Sequence, residues 1–167
     1  MGKARASSSG ASRGRQRRQQ AACQEGASCA HQTATLITLD TSAVVALLDR
    51  DDQNHRAAEA FFRQGHAPNV IPAAILSEIA YMTRSRLAPD PIELFIADIE
   101  QGVYSLDCGE QDLPRIRELV GRYDNLPLGL ADAAVIACAE RNGERVMTFD
   151  RRDFDIVARE GRIRVEP

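Results

Sequence analysis

The sequence has no apolar run that approaches the roughly 20 residues a membrane-spanning helix needs, which excludes an integral membrane protein. Cysteines are few, four in the chain, and their spacing suits neither a disulfide framework nor a zinc finger, so we expect a reducing cytosol. Aromatic residues make up only 5%, and no row of stacked aromatic side chains for binding bases is evident. Lys3 is the only lysine.

The charges that are present divide the chain into two parts. Residues 1–35 carry six basic side chains against one acid, a net charge of +5, among Ser, Gly, Ala and Gln. Such a segment lacks the apolar side chains that offset ordering entropy, so we expect residues 1–35 to be a disordered basic extension. Both an RNA-attracting arm and an extension without a role stay open for it. Residues 36–167 carry 15 arginines against 23 acids, a net charge of -8, and we expect them to form one folded domain.

Short apolar runs alternate with helical patterns along residues 36–167. Strands are predicted at Leu36–Leu39, Asn69–Ile71, Val103–Leu106, Arg145–Phe149 and Ile163–Val165. Helices are predicted from Ala43, over 54–64, 72–86, 91–101, 111–123 and 127–141. The helix over 111–123 has one apolar face, formed by Leu113, Ile116, Leu119 and Val120. This alternation is typical of an α/β domain with a mostly parallel sheet of four or five strands.

Four acidic residues stand alone in apolar surroundings. Three apolar stretches of 12 or 13 residues each hold a single charged side chain, and these are Asp40, Glu78 and Asp132. A fourth acid, Asp150, follows an apolar strand directly. A carboxylate in a buried element is costly unless it is paired or bound to a cation. The four acids are therefore candidates for a common site.

The predicted topology brings these acids toward one edge of the sheet. Asp40 and Asp150 lie just past the carboxyl ends of strands, where open parallel sheets bind ligands. Asp132 lies in the first turn of its helix, near the positive end of the helix dipole, and Glu78 must reach the edge from the side. Four carboxylates repel one another unless a cation joins them, and few basic residues lie beside them. The pattern predicts an all-oxygen site for Mg²⁺, with Mn²⁺ as the second choice.

Each acid also has a purely structural interpretation. Asp40 could only cap the following helix, and Glu78 could be an exposed residue of an amphipathic helix. Asp132 could only interact favourably with the positive end of its helix dipole, and Asp150 could pair with Arg151 or Arg152 in a turn. The hypothesis of a metal site depends on the four acids together.

Four blocks of the sequence, in order, resemble those of a PIN domain, and within that family most closely the VapC-type toxins of bacterial toxin–antitoxin pairs. The blocks are LDTSAVVALLD at 39–49, ILSEIAY at 75–81, LGLADAAVIA at 128–137 and MTFDRRDF at 147–154. The resemblance covers essentially all of residues 36–167 and leaves residues 1–35 without a counterpart. It implies a three-layer α/β/α sandwich for residues 36–167.

The resemblance also implies an activity, that of a divalent-metal-dependent endoribonuclease that cleaves RNA with a metal-activated water. It implies Asp40 and Asp132 as the more direct ligands of Mg²⁺, with Glu78 and Asp150 acting through water, on a second ion or on the attacking water. Supporting hydroxyls would come from Thr41 or Ser42 and from Thr148. The implied partners are RNA, a VapB-type antitoxin and a second copy of the chain, in the cytoplasm.

Two rival functions come from other classes. A catalytically inactive PIN-fold module that binds RNA or protein is the main alternative, and the presence of all four acids argues against it. A phosphotransfer site with Asp40 as nucleophile is disfavoured, because Ser42 stands where a dehalogenase-type site has a second Asp and no lysine lies downstream. The arginines available to guide an RNA backbone toward the acids are Arg84, Arg86, Arg151 and Arg152.

Overall fold

A sheet of five parallel strands forms the centre of the domain. The computed structural model describes residues 36–65, 68–86, 90–123 and 128–166, so the predicted extension over 1–35 lies outside the described residues. The strands lie in the order β3-β2-β1-β4-β5 and every pairing is parallel. They are β1 (Ile37–Leu39), β2 (Asn69–Pro72), β3 (Tyr104–Asp107), β4 (Arg145–Met147) and β5 (Arg164–Glu166). The predicted α/β class and parallel sheet are confirmed.

Seven α-helices of the described residues connect these strands. They are α1 (Thr41–Leu48), α2 (His55–Arg63), α3 (Leu76–Arg86), α4 (Asp90–Glu100), α5 (Leu113–Arg122), α6 (Leu130–Asn142) and α7 (Arg151–Ala158). Short 3₁₀ turns over Ala73–Ile75 and Glu110–Asp112 precede α3 and α5. No helix in these described stretches is long and apolar enough to cross a membrane.

The strand order determines the layers. The chain moves from β1 to β2 to β3 in one direction, then returns to the other side of β1 for β4 and β5. Because parallel crossovers are right-handed, α1 to α4 cover one face and α5 to α7 cover the other, which gives three layers. The direction reverses at β1, and ligands of open α/β sheets bind at the carboxyl ends of strands beside such a reversal. The end of β1 is therefore the expected place for a site.

The core is densest around α6, which is buried along most of its length. The seven consecutive residues Ala133–Ala139 are all buried, and they pack with β1, β4 and α5. Four of these seven are alanines, whose small side chains let the helix lie close to its neighbours. Cys138 belongs to this run, as its apolar surroundings in the sequence predicted.

Arginine side chains join α6 to the elements beside it. Arg141 donates to Asp107 at the end of β3 and to both carboxylate oxygens of Asp112, at 2.8 Å each. Arg115 of α5 donates to both oxygens of Glu140, also at 2.8 Å. These bidentate pairs fix the angle of α6, the helix that carries Asp132 in its first turn.

The structure corrects the predicted elements at three points. The predicted face of α5 is partly wrong: Ile116 and Leu119 are buried, but Leu113 is 63% exposed and Val120 is 40% exposed. The buried stripe instead has the spacing 112, 116, 119 and 123, so those two residues lie at its borders. Strand β4 ends at Met147 rather than Phe149, and helix α7 was not predicted at all. Helix α7 has only eight residues, and charged side chains dominate its first turn.

Candidate acidic active site

Asp40 lies directly after β1 and caps helix α1. The backbone N–H of Ser42 donates to Asp40 Oδ2 at 3.2 Å, as expected of an N-cap residue. The residue is also buried at the carboxyl end of the central strand, where a charged side chain is costly unless it is paired or bound to a cation. The structural interpretation of Asp40 is thus correct as far as it goes, but it leaves part of the carboxylate unexplained.

Two hydroxyl groups orient the Asp40 carboxylate. Ser42 Oγ donates to Asp40 Oδ2 at 2.7 Å, and Thr148 Oγ1 donates to the same oxygen at 2.8 Å. These hydroxyls in turn accept from the backbone N–H groups of Phe149 and Asp150, at 2.9 and 3.0 Å. Oδ2 therefore has three donors, whereas no hydrogen bond from the described residues reaches Oδ1. This arrangement leaves Oδ1 free to face a ligand.

Glu78 reaches the site from the side, as the topology predicted. Helix α3 begins at Leu76, after the 3₁₀ turn, so Glu78 lies in its first turn rather than two turns into a longer helix. Thr41 Oγ1 donates to Glu78 Oε2 at 2.8 Å, which ties α3 to the start of α1. Glu78 remains exposed, so its other oxygen lies at the open side of the site.

Asp132 is the acid most strongly affected by its neighbours. Its pKa is raised from 3.8 to about 6, and burial is the largest cause. The backbone N–H of Gly129 lowers this pKa, whereas the negative charges of Asp40, Asp153 and Glu78 help to raise it. That N–H donates to Asp132 Oδ2 at 3.0 Å. A Cβ at position 129 would lie 3.3 Å from the same oxygen, which favours glycine there. The carboxylates of three different segments thus act on Asp132 with one sign.

This raised pKa predicts how the stability of the metal-free protein depends on pH. Asp132 binds its proton more tightly folded than unfolded, so its contribution to stability falls as pH rises from about 4 to about 6. Asp132→Asn removes that dependence while leaving an oxygen for Gly129 N–H. In the presence of EDTA, we expect the melting temperature of Asp132→Asn to exceed that of wild type increasingly across this range. A difference that is the same at pH 4.5 and pH 7.5 would contradict the assignment.

Asp150 differs from the other three predicted acids. It precedes α7 at the N-cap position, and its side chain is exposed. Its backbone N–H bonds to Thr148, but within the described stretches no hydrogen bond or ion pair involves its carboxylate. The suggested pairing with the two arginines that follow is absent there, since Arg151 pairs with Asp155 and Arg152 lies near Asp153. Its role as a site residue stays a prediction.

Asp153 is a further acid whose charge acts on Asp132, and the sequence analysis did not single it out. Its side chain is only 12% exposed, and its Oδ1 is buried without a hydrogen-bond partner. The available signal was the buried Phe154 beside it, which draws the first turn of α7 toward the core. Because helix α7 was not predicted, the position of Phe154 in the sequence could not show which way the side chain of Asp153 lies.

The residues present suit a hard divalent cation. The site offers only oxygen donors, one buried carboxylate oxygen lacks a partner, and the charges acting on Asp132 have one sign. No three acidic, histidine or cysteine side chains among the described residues lie close enough together to hold one ion directly. A cation bound here would therefore contact part of this acid set through water, as Mg²⁺ commonly does in proteins.

Comparisons with known proteins show which family this chain and its fold resemble. The family model described as PIN domain matches residues 37–160. Ribonuclease VapC26 of Mycobacterium tuberculosis is 27% identical over 118 residues, which cover 70% of this chain and 87% of that protein. Among solved structures, the crystal structure of Mycobacterium tuberculosis VapC20, titled a sarcin–ricin loop cleaving toxin, matches with a TM-score of 0.65 and 18% identity. That match covers 72% of this chain and 94% of VapC20.

Proposed function

Because the chain belongs to the PIN domain family, we propose that it is a divalent-metal-dependent endoribonuclease, the toxin of a type II toxin–antitoxin pair. The observation that carries the proposal is the oriented acid set at the reversal point of the sheet. Donors hold Asp40, Glu78 and Asp132 from three different segments, and no basic side chain of the described residues pairs with them. Three carboxylates that no basic side chain neutralises attract a cation.

The proposed roles follow from which oxygens are already bonded. Asp40 Oδ1 and the oxygen of Asp132 not bonded to Gly129 are the direct ligands, because their partner oxygens are held by donors. Glu78, held by Thr41 and open to solvent, orients the attacking water. Asp150 acts from the rim. When bound, Mg²⁺, or Mn²⁺ in its place, lowers the pKa of a water molecule and offsets the charge of the phosphate.

Ser42 and Thr148 have a positioning role in this scheme. Each uses its single hydroxyl proton on Asp40 Oδ2 and accepts a backbone N–H with a lone pair, so neither hydroxyl is free to rotate. The hydroxyl of Thr41 likewise donates to Oε2 of Glu78. Hydrogen bonds of this kind, made to ligands rather than to the metal, hold a site in shape before the cation arrives.

Exposed arginines near the acids suit the RNA backbone. Arg84 lies on α3, the helix of Glu78, and Arg151 and Arg152 open α7. All three side chains are exposed, whereas the side chain of Arg86 lies outside the described residues. Contacts of arginines with phosphates hold RNA without reading its sequence, and they offset the net negative charge of the domain along the path to the site.

The proposed biological setting derives from the relatives. The matched name describes VapC26 as a ribonuclease, and the matched title describes VapC20 as a toxin. We infer the corresponding setting for this chain: a cytoplasmic homodimer held inactive by a VapB-type antitoxin. The antitoxin's C-terminal segment would occupy the groove beside the acids and keep RNA away from it.

One comparison tests the proposed activity. Purified protein free of antitoxin is incubated with mixed RNA in Mg²⁺, in Mn²⁺ and in EDTA, beside Asp132→Asn and the control Asp155→Asn. We expect cleavage by wild type and Asp155→Asn with metal only, and none by Asp132→Asn. Asp155 is a fair control because it is an acid of α7 that pairs with Arg151 on the surface.

Two results would count against the proposal. Cleavage that continues in EDTA, or that Asp132→Asn retains, would contradict metal-dependent catalysis at this site. RNA binding without any cleavage in either metal would instead favour the alternative of a catalytically inactive PIN-fold binding module.

A further inference from the structure

Tyr81 is the one aromatic residue of this chain that lies exposed to solvent. The chain has three tyrosines, five phenylalanines and no tryptophan, and all of these rings belong to the described residues. The others are buried or half-buried, whereas Tyr81 is 76% exposed, more than any other large apolar residue that the structure describes. A single exposed apolar residue is ordinary on a protein surface, so its position decides whether it has a role.

Tyr81 lies one helical turn from the acid Glu78. Both are exposed residues of α3, three positions apart, which places their Cβ atoms about 5 to 6 Å from each other on one face of the helix. A helical side chain covers the turn on the N-terminal side of its own Cα, so the ring of Tyr81 leans toward Glu78. Thr41 holds Glu78 against the start of α1, directly after Asp40. The ring therefore borders the open side of the acid set.

A cation continues the same line of exposed residues. Arg84 follows Tyr81 by three positions on α3 and is also exposed. Glu78, Tyr81 and Arg84 thus follow one another over about 9 Å of helix axis. An acid of the cation site, an aromatic face and a guanidinium group suit, in that order, a reacting phosphate, a base and a further phosphate of one RNA strand.

We propose that Tyr81 stacks on a base of the RNA strand beside the acid set, an inference that rests on the proposed ribonuclease function and adds the side chain that holds a base of the substrate. Unpaired bases bind proteins largely by stacking on aromatic rings, and such stacking accepts any base. A base within a duplex is already stacked on its neighbours and cannot reach the ring. Tyr81 holds an unpaired base while Arg84 contacts the backbone, and the adjoining phosphodiester lies against the acids.

The other occupant to consider for this face of α3 is a protein, either an antitoxin or a second copy of the chain. The ring of Tyr81 is solitary on its helix, because its exposed neighbours there are Ser77, Glu78, Ala80 and Arg84. The core of a protein interface is depleted of charged side chains, and its aromatic anchors lie in desolvated pockets. A ring between an acid and an arginine suits a charged strand better than such an interface.

Binding of RNA without cleavage tests this contact. A fluorescein-labelled single-stranded RNA of mixed sequence is titrated with the full chain in EDTA, where the proposed cleavage cannot occur, and at low salt, where phosphate contacts are strongest. We expect Tyr81→Ala and Tyr81→Leu to bind about tenfold or more weakly than wild type, because each removes the ring. Tyr81→Phe keeps the ring and should bind like wild type. Val103→Ala is the control, because Val103 is 54% exposed just before β3, at the opposite edge of the sheet.

Tyrosine fluorescence reports the stacking itself. Because the chain has no tryptophan, its emission comes from Tyr81 and from the less exposed Tyr104 and Tyr123. A base stacked on Tyr81 quenches that ring, so RNA should lower the emission of wild type and leave that of Tyr81→Phe unchanged while this variant still binds. An RNA backbone of the same length without bases should bind wild type and Tyr81→Ala equally. A purely structural role for Tyr81 predicts neither result.

The outcomes separate this inference from the proposed function. If Tyr81→Ala or Tyr81→Leu binds RNA as tightly as wild type, or if Tyr81→Phe loses as much affinity as Tyr81→Ala, the stacking role is overturned whether or not the protein cleaves RNA. If RNA binding depends on the ring but wild type cleaves nothing in Mg²⁺ or Mn²⁺, the stacking role stands and the catalytic proposal fails. Unchanged RNA binding by Tyr81→Ala with an altered sedimentation coefficient would assign the ring to a contact between two copies of the chain. If wild type binds no RNA, both proposals fail.

Discussion

Replacing Asp40 by Asn should lower the rate of RNA cleavage by about 10³-fold. The two hydroxyl donors on Oδ2 require an acceptor, so the new amide must turn its oxygen toward Ser42 and Thr148. Its NH₂ group then points where Oδ1 was, and an amide NH₂ cannot bind a cation. Loss of the charge stabilisation that a metal gives is worth several kcal/mol, and about 4 kcal/mol corresponds to roughly 10³-fold in rate.

The measurement is single-turnover cleavage of an RNA substrate at saturating Mg²⁺. Circular dichroism and thermal unfolding establish that the variant is folded, since the hydrogen bonds of the amide oxygen retain the cap of α1. Asp155→Asn again serves as the acid-to-amide control and should cleave at the wild-type rate. If the cleavage rate of Asp40→Asn falls by less than tenfold, Asp40 is not a direct ligand of the catalytic cation.

Replacing Arg141 by Met should destabilise the domain by about 3 kcal/mol. Arg141 makes three charge-assisted hydrogen bonds, one to Asp107 and two to Asp112, and Asp112 is buried. Methionine fills the apolar part of the space but leaves the Asp112 carboxylate without its partner. Removal of one member of a buried pair strands the other charge, and this penalty is larger than the net contribution of the pair.

Urea unfolding in EDTA measures this loss. Arg63→Met is the matched control, because Arg63 pairs with Glu59 on the surface of α2 and its side chain is 74% exposed. We expect that control to change stability by less than about 0.5 kcal/mol. Equal effects of the two substitutions would show that the Arg141 cluster is no more than another surface ion pair.

Much of the fold and part of the site follow from local sequence patterns. The isolated acids Asp40 and Asp132 were predictable, because each interrupts an apolar element at a strand end or a helix start. The parallel sheet was predictable for the same reason, since its buried strands are short apolar runs between helical segments. The spacing of apolar residues reports only on contacts within one helix or strand. The isolated acids and the short apolar strands are features of single elements, so this spacing is enough to predict them.

The parts that were not predicted depend on contacts between distant segments. Helix α7 is held by the burial of Phe154 and Val157, and its eight residues carry too little periodicity to reveal a helix among charged neighbours. Asp153 is placed by that helix, whereas a search for acids that follow apolar strands finds only Asp150 in this part of the chain. The convergence of Ser42 and Thr148 on a single oxygen of Asp40 joins residues 106 to 108 positions apart. No local sequence pattern predicts a contact between residues so far apart in the chain.

The distance along the chain between Asp40 and Thr148 also sets an order of events during synthesis. A nascent chain on the ribosome that has not yet reached residue 148 holds Asp40 without one of its two hydroxyl donors. It also lacks β4, the neighbour that closes one side of β1. The early acids of the site thus exist for most of translation without the framework that orients them. Under the proposed function, the site that would cleave RNA is therefore complete only after β4 has been made and has folded against β1.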